Sequence, residues 1–134
     1  MTRRILVACT MALLALVPAT AYAADHHMYS NDVLLPGEDP GAHMWFNEHG
    51  DVVTLCDNDA DGLKATLSVA YGNPYAIPEK YSLSVGGEGR CVTRKASMGK
   101  RFNLAENRRV GFLICVQGDL EPHLCNAATW VNDH

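Results

Sequence analysis

Beyond residue 42 a turn signal interrupts the chain roughly every ten residues, a spacing that leaves room for short strands and little else. His49-Gly50 separates His43–Glu48 from Asp51–Cys56 and reads as a tight hairpin. Leu63-Lys64-Ala65-Thr66-Leu67-Ser68-Val69 alternates apolar and polar side chains, the pattern of a strand with one buried face. Gly72-Asn73-Pro74 and Pro78 mark a loop; Tyr81–Val85 alternates again and ends at Gly86-Gly87-Glu88-Gly89. Arg90–Lys95 and Arg101–Leu104 are short basic strand candidates, Val110–Val116 is the most hydrophobic stretch after the leader, and Leu124–Val131 follows it. No segment carries a convincing amphipathic helical period. The expected fold is all-β: a small antiparallel β-sandwich of Greek-key type, with seven or eight short strands. A small Greek-key barrel is the alternative.

The first residues set the compartment. Arg3 and Arg4 precede an apolar run from Ile5 to Val17, and Ala21-Tyr22-Ala23 places small residues around a cleavage point. Residues 1–23 therefore read as a secretory signal peptide, the run being short for a membrane span. Leu6-Val7-Ala8-Cys9 imitates a lipoprotein box, but the apolar stretch before Cys9 is too short for one. The expected product is a secreted, extracellular chain of one domain, about 111 residues long, with no membrane contact after cleavage.

Four cysteines remain: Cys56, Cys91, Cys115 and Cys125. An even set in a secreted chain predicts two disulfides, with three pairings open. A zinc site is disfavoured by the absence of a Cys-x-x-Cys pair or a suitably spaced histidine. If Val110–Val116 and Leu124–Val131 form a hairpin with Cys115 facing Cys125, Val116 faces Leu124, Phe112 faces Ala128 and Val110 faces Trp130. That register is apolar except for Asn126 opposite Ile114. It selects Cys115–Cys125 and leaves Cys56–Cys91.

Residues 24–42 have neither period. Pro36-Gly37 and Pro40-Gly41 break them twice, and Val33-Leu34-Leu35 stands alone among acids. They read as an extended N-terminal arm in front of a sandwich spanning 43–134, one that could be removed without unfolding it. The exposed triplet Val33, Leu34 and Leu35 is a candidate partner contact. Charge is segregated as well. Asp25 to Asp61 holds nine acids and no Lys or Arg, whereas Lys64 to Arg109 holds nine bases and only Glu79, Glu88 and Glu106. Without Arg3 and Arg4 the 11 Lys and Arg become 9, against 15 Asp and Glu. A negative chain with little aromatic interleaving among its bases excludes nucleic acid as a partner. Arg90, Arg94, Lys95, Lys100 and Arg101 are candidates for a second, salt-sensitive protein contact.

Candidate metal ligands are few. Asp57, Asp59 and Asp61 match the first half of a calcium loop, but its closing position is Ser68, and an acidic turn is the simpler reading. Cleavage after Ala23 or Ala24 leaves His26 or His27 third in the chain. An α-amine, two amides and an imidazole can then surround Cu(II) or Ni(II) in a square plane. No cofactor is implied, and no nucleophile motif is present.

Cys56-Asp57 leading to Ala60-Asp61-Gly62, Asn103-Leu104-Ala105-Glu106 leading to Val110, and Phe112-x-x-Cys115 with Cys125 and Trp130 form a set. Together they resemble small secreted, disulfide-bonded β-sandwich proteins of streptomycete-type actinobacteria, over residues 43 to 131. Some proteins of this kind are similar to the adaptor subunits of umbrella-shaped antibacterial toxin particles. The resemblance implies a non-enzymatic module whose secreted partners are a large toxin subunit and a lectin subunit, with an N-terminal extension as one contact. Two other functions fit the residues. One is a protease inhibitor using Asn73-Pro74-Tyr75-Ala76-Ile77-Pro78, and the other is a small hydrolase whose carboxylates converge only in the fold.

Overall fold

A computed structural model describes residues 25–31, 36–37, 39–117 and 124–133. Residues 1–24, which include the expected signal peptide, and the triplet Val33, Leu34 and Leu35 lie outside the described residues. Eight strands form two antiparallel sheets: β1 (Asp25–Tyr29), β2 (Ala42–Asn47), β3 (Val52–Asp57), β4 (Lys64–Tyr71), β5 (Tyr81–Gly86), β6 (Cys91–Arg94), β7 (Arg108–Gln117) and β8 (Leu124–Asn132). The first sheet has the order β1-β2-β3-β6 and the second β5-β4-β7-β8. Around the β4–β5 hairpin, β6 returns to lie beside β3 and β7 beside β4, a crossover of Greek-key kind. Among the described residues the only helical segment is one 3-10 turn, Ala96–Met98.

Alternation along the strands builds the core. Met44 and Phe46 of β2, Val53 and Leu55 of β3, Leu67 and Val69 of β4, and Val110, Phe112 and Ile114 of β7 are fully buried between the sheets. Tyr81 and Leu83 of β5 join them, and Leu104 plugs one end from the 99–107 loop. Arg101–Leu104 is therefore irregular, not a strand: the segment caps the core instead of pairing.

The expected register of the last hairpin is the observed one: Val116↔Leu124, Cys115↔Cys125, Ile114↔Asn126, Phe112↔Ala128 and Val110↔Trp130. Both disulfides form as expected, Cys56–Cys91 and Cys115–Cys125. Each joins directly opposed residues of neighbouring strands, with Cα atoms 4.1 and 4.2 Å apart. The flanking backbone bond Asp57 N–H to Arg90 O places Cys56 and Cys91 at a pair without ladder bonds, where opposed side chains come closest. The bridges staple strands within each sheet and do not tie one sheet to the other.

The arm differs in its first residues. Asp25–Tyr29, expected to be extended but outside the regular core, is extended and pairs with β2 as an edge strand. Met28 is buried, and His26 is wedged at the end of the sandwich. An alternating pattern over only five residues, with histidines at two of them, was too weak a signal to read as a strand. A truncation that removes 25–29 would open the core at Met28.

Candidate functional site

The odd residues of β1 and β2 point away from the core and form an aromatic strip on the first sheet. His27 lies opposite Trp45, and Tyr29 opposite His43. The Tyr29 and His43 rings stack with centroids 3.9 Å apart, and His43 meets Trp45 at 3.7 Å. His27 approaches Tyr29 and His43 edge-on. His43 is thus held between two larger rings. Its Nε2 is buried without a hydrogen-bond partner, and burial, then the neighbouring His27, lowers its pKa from 6.5. Tyr29 and Trp45 remain 42% and 40% exposed, which makes the strip a surface that water covers poorly. Beside it, the side chains of Thr54 and Thr93 are hydrogen-bonded across β3 and β6 at 2.8 Å.

The strip borders a free edge. Ser30 N–H donates to Ala42 O in continuation of the β1–β2 register, so the even residues His26 and Met28 carry the ladder bonds. His27 and Tyr29 turn their backbone groups outward, where β1 has no neighbouring strand among the described residues. One of those groups is capped: Asn126 donates to Tyr29 O at 2.9 Å, and Asn31 donates to Cys125 O at 3.3 Å. Two asparagine amides thereby lace edge β1 to edge β8 at one end, leaving the His27 backbone open.

At the other end of β1, His26 is fully engaged. Its Nε2 lies 2.6 Å from Glu48 Oε1, and its ring stacks 4.8 Å from Trp130. Glu48 is buried, so the contact closes that end of the sandwich. His26 and His27, equivalent as terminal ligands by sequence, are therefore opposite in environment: one built in, the other on the surface.

Two of the three calcium candidates, Asp57 and Asp61, turn their carboxylates to the backbone, and Asp59 gives its own N–H to Asp57. Asp57 is buried and accepts from Asp59 N–H and, at 2.7 Å, from Gly87 N–H, while Asp61 accepts from Leu63 N–H. Asp57 thus ties the 57–63 turn to the β5–β6 turn. Among the described residues no three His, Cys, Asp or Glu side chains converge on a point. Asp51, which the sequence did not single out, is buried at a positive φ of 53°. It accepts from Leu104 N–H at 2.8 Å and from Asn132 Nδ2 at 3.0 Å. Glu48, Asp51 and Asp57 belong to the acidic stretch but are buried, so they add little to the surface field.

The basic candidates divide. Arg90 lies before β6 at the Gly87 turn, whereas Arg94 ends β6 and continues into Lys95, Lys100 and Arg101. Arg94 rests over the Phe102 ring, 5.6 Å from its centroid. Two bases not singled out by sequence, Lys80 and Arg108, lie over Tyr71 at 5.4 and 4.2 Å.

The 72–80 loop is the second exposed apolar feature. Pro74 lies on Gly111 of β7 so closely that a Cβ there would come within 2.5 Å of the Pro74 nitrogen. Gly72 N–H to Arg109 O and Lys80 N–H to Val69 O clamp the ends. Tyr75 is 63% and Ile77 95% exposed. Asn73 O accepts from Ala76 N–H, so the chain turns at Pro74-Tyr75.

No family model matches the chain, and neither a curated protein nor a solved structure matches it either. What defines the molecule is its own geometry: a small antiparallel sandwich, stapled within each sheet, with an aromatic strip at an open edge. Two disulfides fit an oxidising, extracellular setting. Among the described residues no helix is long and apolar enough to cross a membrane.

Proposed function

We propose that this is a secreted, non-enzymatic protein-binding module, acting as an adaptor subunit that links components of an extracellular antibacterial toxin complex. The observation that carries the reading is the pairing of Tyr29 and Trp45, each about two-fifths exposed, with an edge strand whose His27 backbone has no neighbouring strand among the described residues. Aromatic side chains are preferred interface anchors, and an open edge accepts an added strand. The chain that follows β1 carries the apolar residues Val33, Leu34 and Leu35, which the reading takes as a further partner contact. Arg94, at the end of β6 on the opposite edge of the same sheet, and Lys95, Lys100 and Arg101 after it in the chain supply charge for orienting a partner.

A protease inhibitor is supported by one observation, the clamped loop that presents Ile77. The turn at Pro74-Tyr75 argues against it, because a protease cleft takes an extended segment. A hydrolase gains little support, since the carboxylates of Asp51 and Asp57 are both engaged by N–H donors.

The test is recovery of partners from culture medium on the immobilised protein, comparing wild type with the pair Tyr29→Ser and Trp45→Ser. The reading expects a large secreted partner on the wild type and its loss from the pair, with near-native melting. Equal recovery on both would remove the strip from the interface.

A further inference from the structure

The most exposed large apolar side chain among the described residues belongs neither to the aromatic strip nor to the edge beside it. Ile77 is 95% exposed, and Tyr75, two residues before it, is 63% exposed. Both stand on the 72–80 loop between β4 and β5. We propose that this loop is a separate protein-docking site, which inserts Ile77 and Tyr75 into an apolar pocket bordered by carboxylates on a secreted partner.

The loop is held in one shape at its ends, its turn and its base. Gly72 N–H donates to Arg109 O and Lys80 N–H to Val69 O, both at 2.8 Å. Asn73 fixes the turn twice, its side-chain oxygen accepting from Tyr75 N–H and its carbonyl from Ala76 N–H. Pro74 rests on Gly111, where any Cβ would push it away. A tip ordered before it meets its partner loses little conformational freedom on binding. Tyrosine and arginine are enriched among interface anchors, and Tyr75, Arg108 and Arg109 share this site.

Charge gives the chemistry of the partner. Lys80 closes the loop, and Arg108 and Arg109 open β7 at its foot. Lys80 and Arg108 are both held over the Tyr71 ring, at 5.4 and 4.2 Å from its centroid. The acids of the same stretches are Glu79 and Glu106. Glu79 is turned back onto β4, where its Oε2 accepts from the Ser68 hydroxyl at 2.8 Å. Three cations against two acids, one of them tied down, favour a surface that carries carboxylates.

The loop and the strip lie on opposite faces of the sandwich. Gly111 sits between the buried Val110 and Phe112, so it faces out of the second sheet. Thr129, its register partner on β8, donates from that same face to Gly72 O at 3.4 Å. The loop thus covers the outer face of the second sheet, whereas Tyr29 and Trp45 stand on the outer face of the first. A partner on the loop leaves β1 open, and the loop contact stands whether or not β1 accepts a strand.

The test replaces Tyr75 by photo-reactive benzoylphenylalanine in the full secreted chain and irradiates it in the culture medium of the cells that release it. The crosslinked residues of the partner are then read by mass spectrometry. The expected result is an adduct with one secreted protein, at apolar residues that have Asp or Glu beside them. Adding Ile77→Ser should cut its yield at least about tenfold, and so should Arg108→Glu with Arg109→Glu. Raising the salt concentration should weaken the adduct of the parent chain, a readout that needs no charge variant to fold. The pair Tyr29→Ser and Trp45→Ser should leave the adduct unchanged, even if that pair also keeps every other partner and so removes the strip from binding. No adduct, or one indifferent to Ile77→Ser or to salt, overturns the site. An adduct lost in the strip pair, or mapped to the cleft of a protease that the chain inhibits, overturns it as well.

Discussion

Asp51→Asn should destabilise the fold by about 2–4 kcal/mol while changing one oxygen into an amino group. The backbone is not the cause: Asp51 has a φ of 53°, and asparagine adopts that region as readily as aspartate. Both carboxylate oxygens accept in a site that is 2% exposed, Oδ2 from Leu104 N–H and Oδ1 from Asn132 Nδ2. An asparagine side chain has a single oxygen, so one of the two donors must face an NH2 group. A hydrogen bond to a charged acceptor contributes about 1.5–3 kcal/mol, and a buried donor left unmatched costs about 1–3 kcal/mol. The two overlap, hence the range. For a domain near 100 residues each kcal/mol moves the melting temperature by roughly 4–8 °C, so a fall of order 10–25 °C is expected by differential scanning calorimetry. A single variant that melts with the wild type would show that Asp51 does not hold the Leu104 loop and β8 together.

Removing the bridges one at a time should rank them by loop length. Chain-entropy arithmetic assigns about 2.7 kcal/mol to the 10-residue separation of Cys115–Cys125 and about 3.8 kcal/mol to the 35-residue separation of Cys56–Cys91, so urea midpoints of the Ser double variants should fall in that order. His43 favours its neutral form in the fold, so the stability it contributes is present above pH 6.5 and lost as pH falls through its depressed folded pKa. Denaturation from pH 7.5 to 5 should show a decline that His43→Phe makes shallower, and an equal slope in both would refute it. Gly111→Ala should cost about 1–3 kcal/mol by pushing Pro74 off β7, and a neutral result would mean that the loop is not seated there.

The fold was legible where local pattern and tertiary demand agreed. Val110–Val116 and Leu124–Val131 have only one register that sets apolar residues and both cysteines opposite each other, and that register is the observed one. The β2–β3 hairpin was visible too, although Glu48 and Asp51 belong to its loop and not to the flanking strands. β1 was hidden because Asp25-His26-His27-Met28-Tyr29 carries a single aliphatic residue, and the partners of His26 are 22 and 104 positions away. Arg101–Leu104 misled for the opposite reason: its apolar residues belong to a loop whose N–H is held by Asp51, a contact across 53 positions. The aromatic strip has the same origin. Tyr29, His43 and Trp45 look unrelated along the chain until antiparallel pairing stacks them. Their one local trace is the spacing of two between His43 and Trp45, which assigns a common face but not which one.

Hydrogen exchange of the complex tests the binding account most directly. In the free protein the outward-facing His27 and Tyr29 amides should exchange quickly, since no strand among the described residues covers that edge. On binding the partner proposed for this edge, both should slow by at least about tenfold as an added strand closes it. Slowing confined to 73–80, with His27 and Tyr29 unchanged, would contradict the account and transfer the interface to the Ile77 loop.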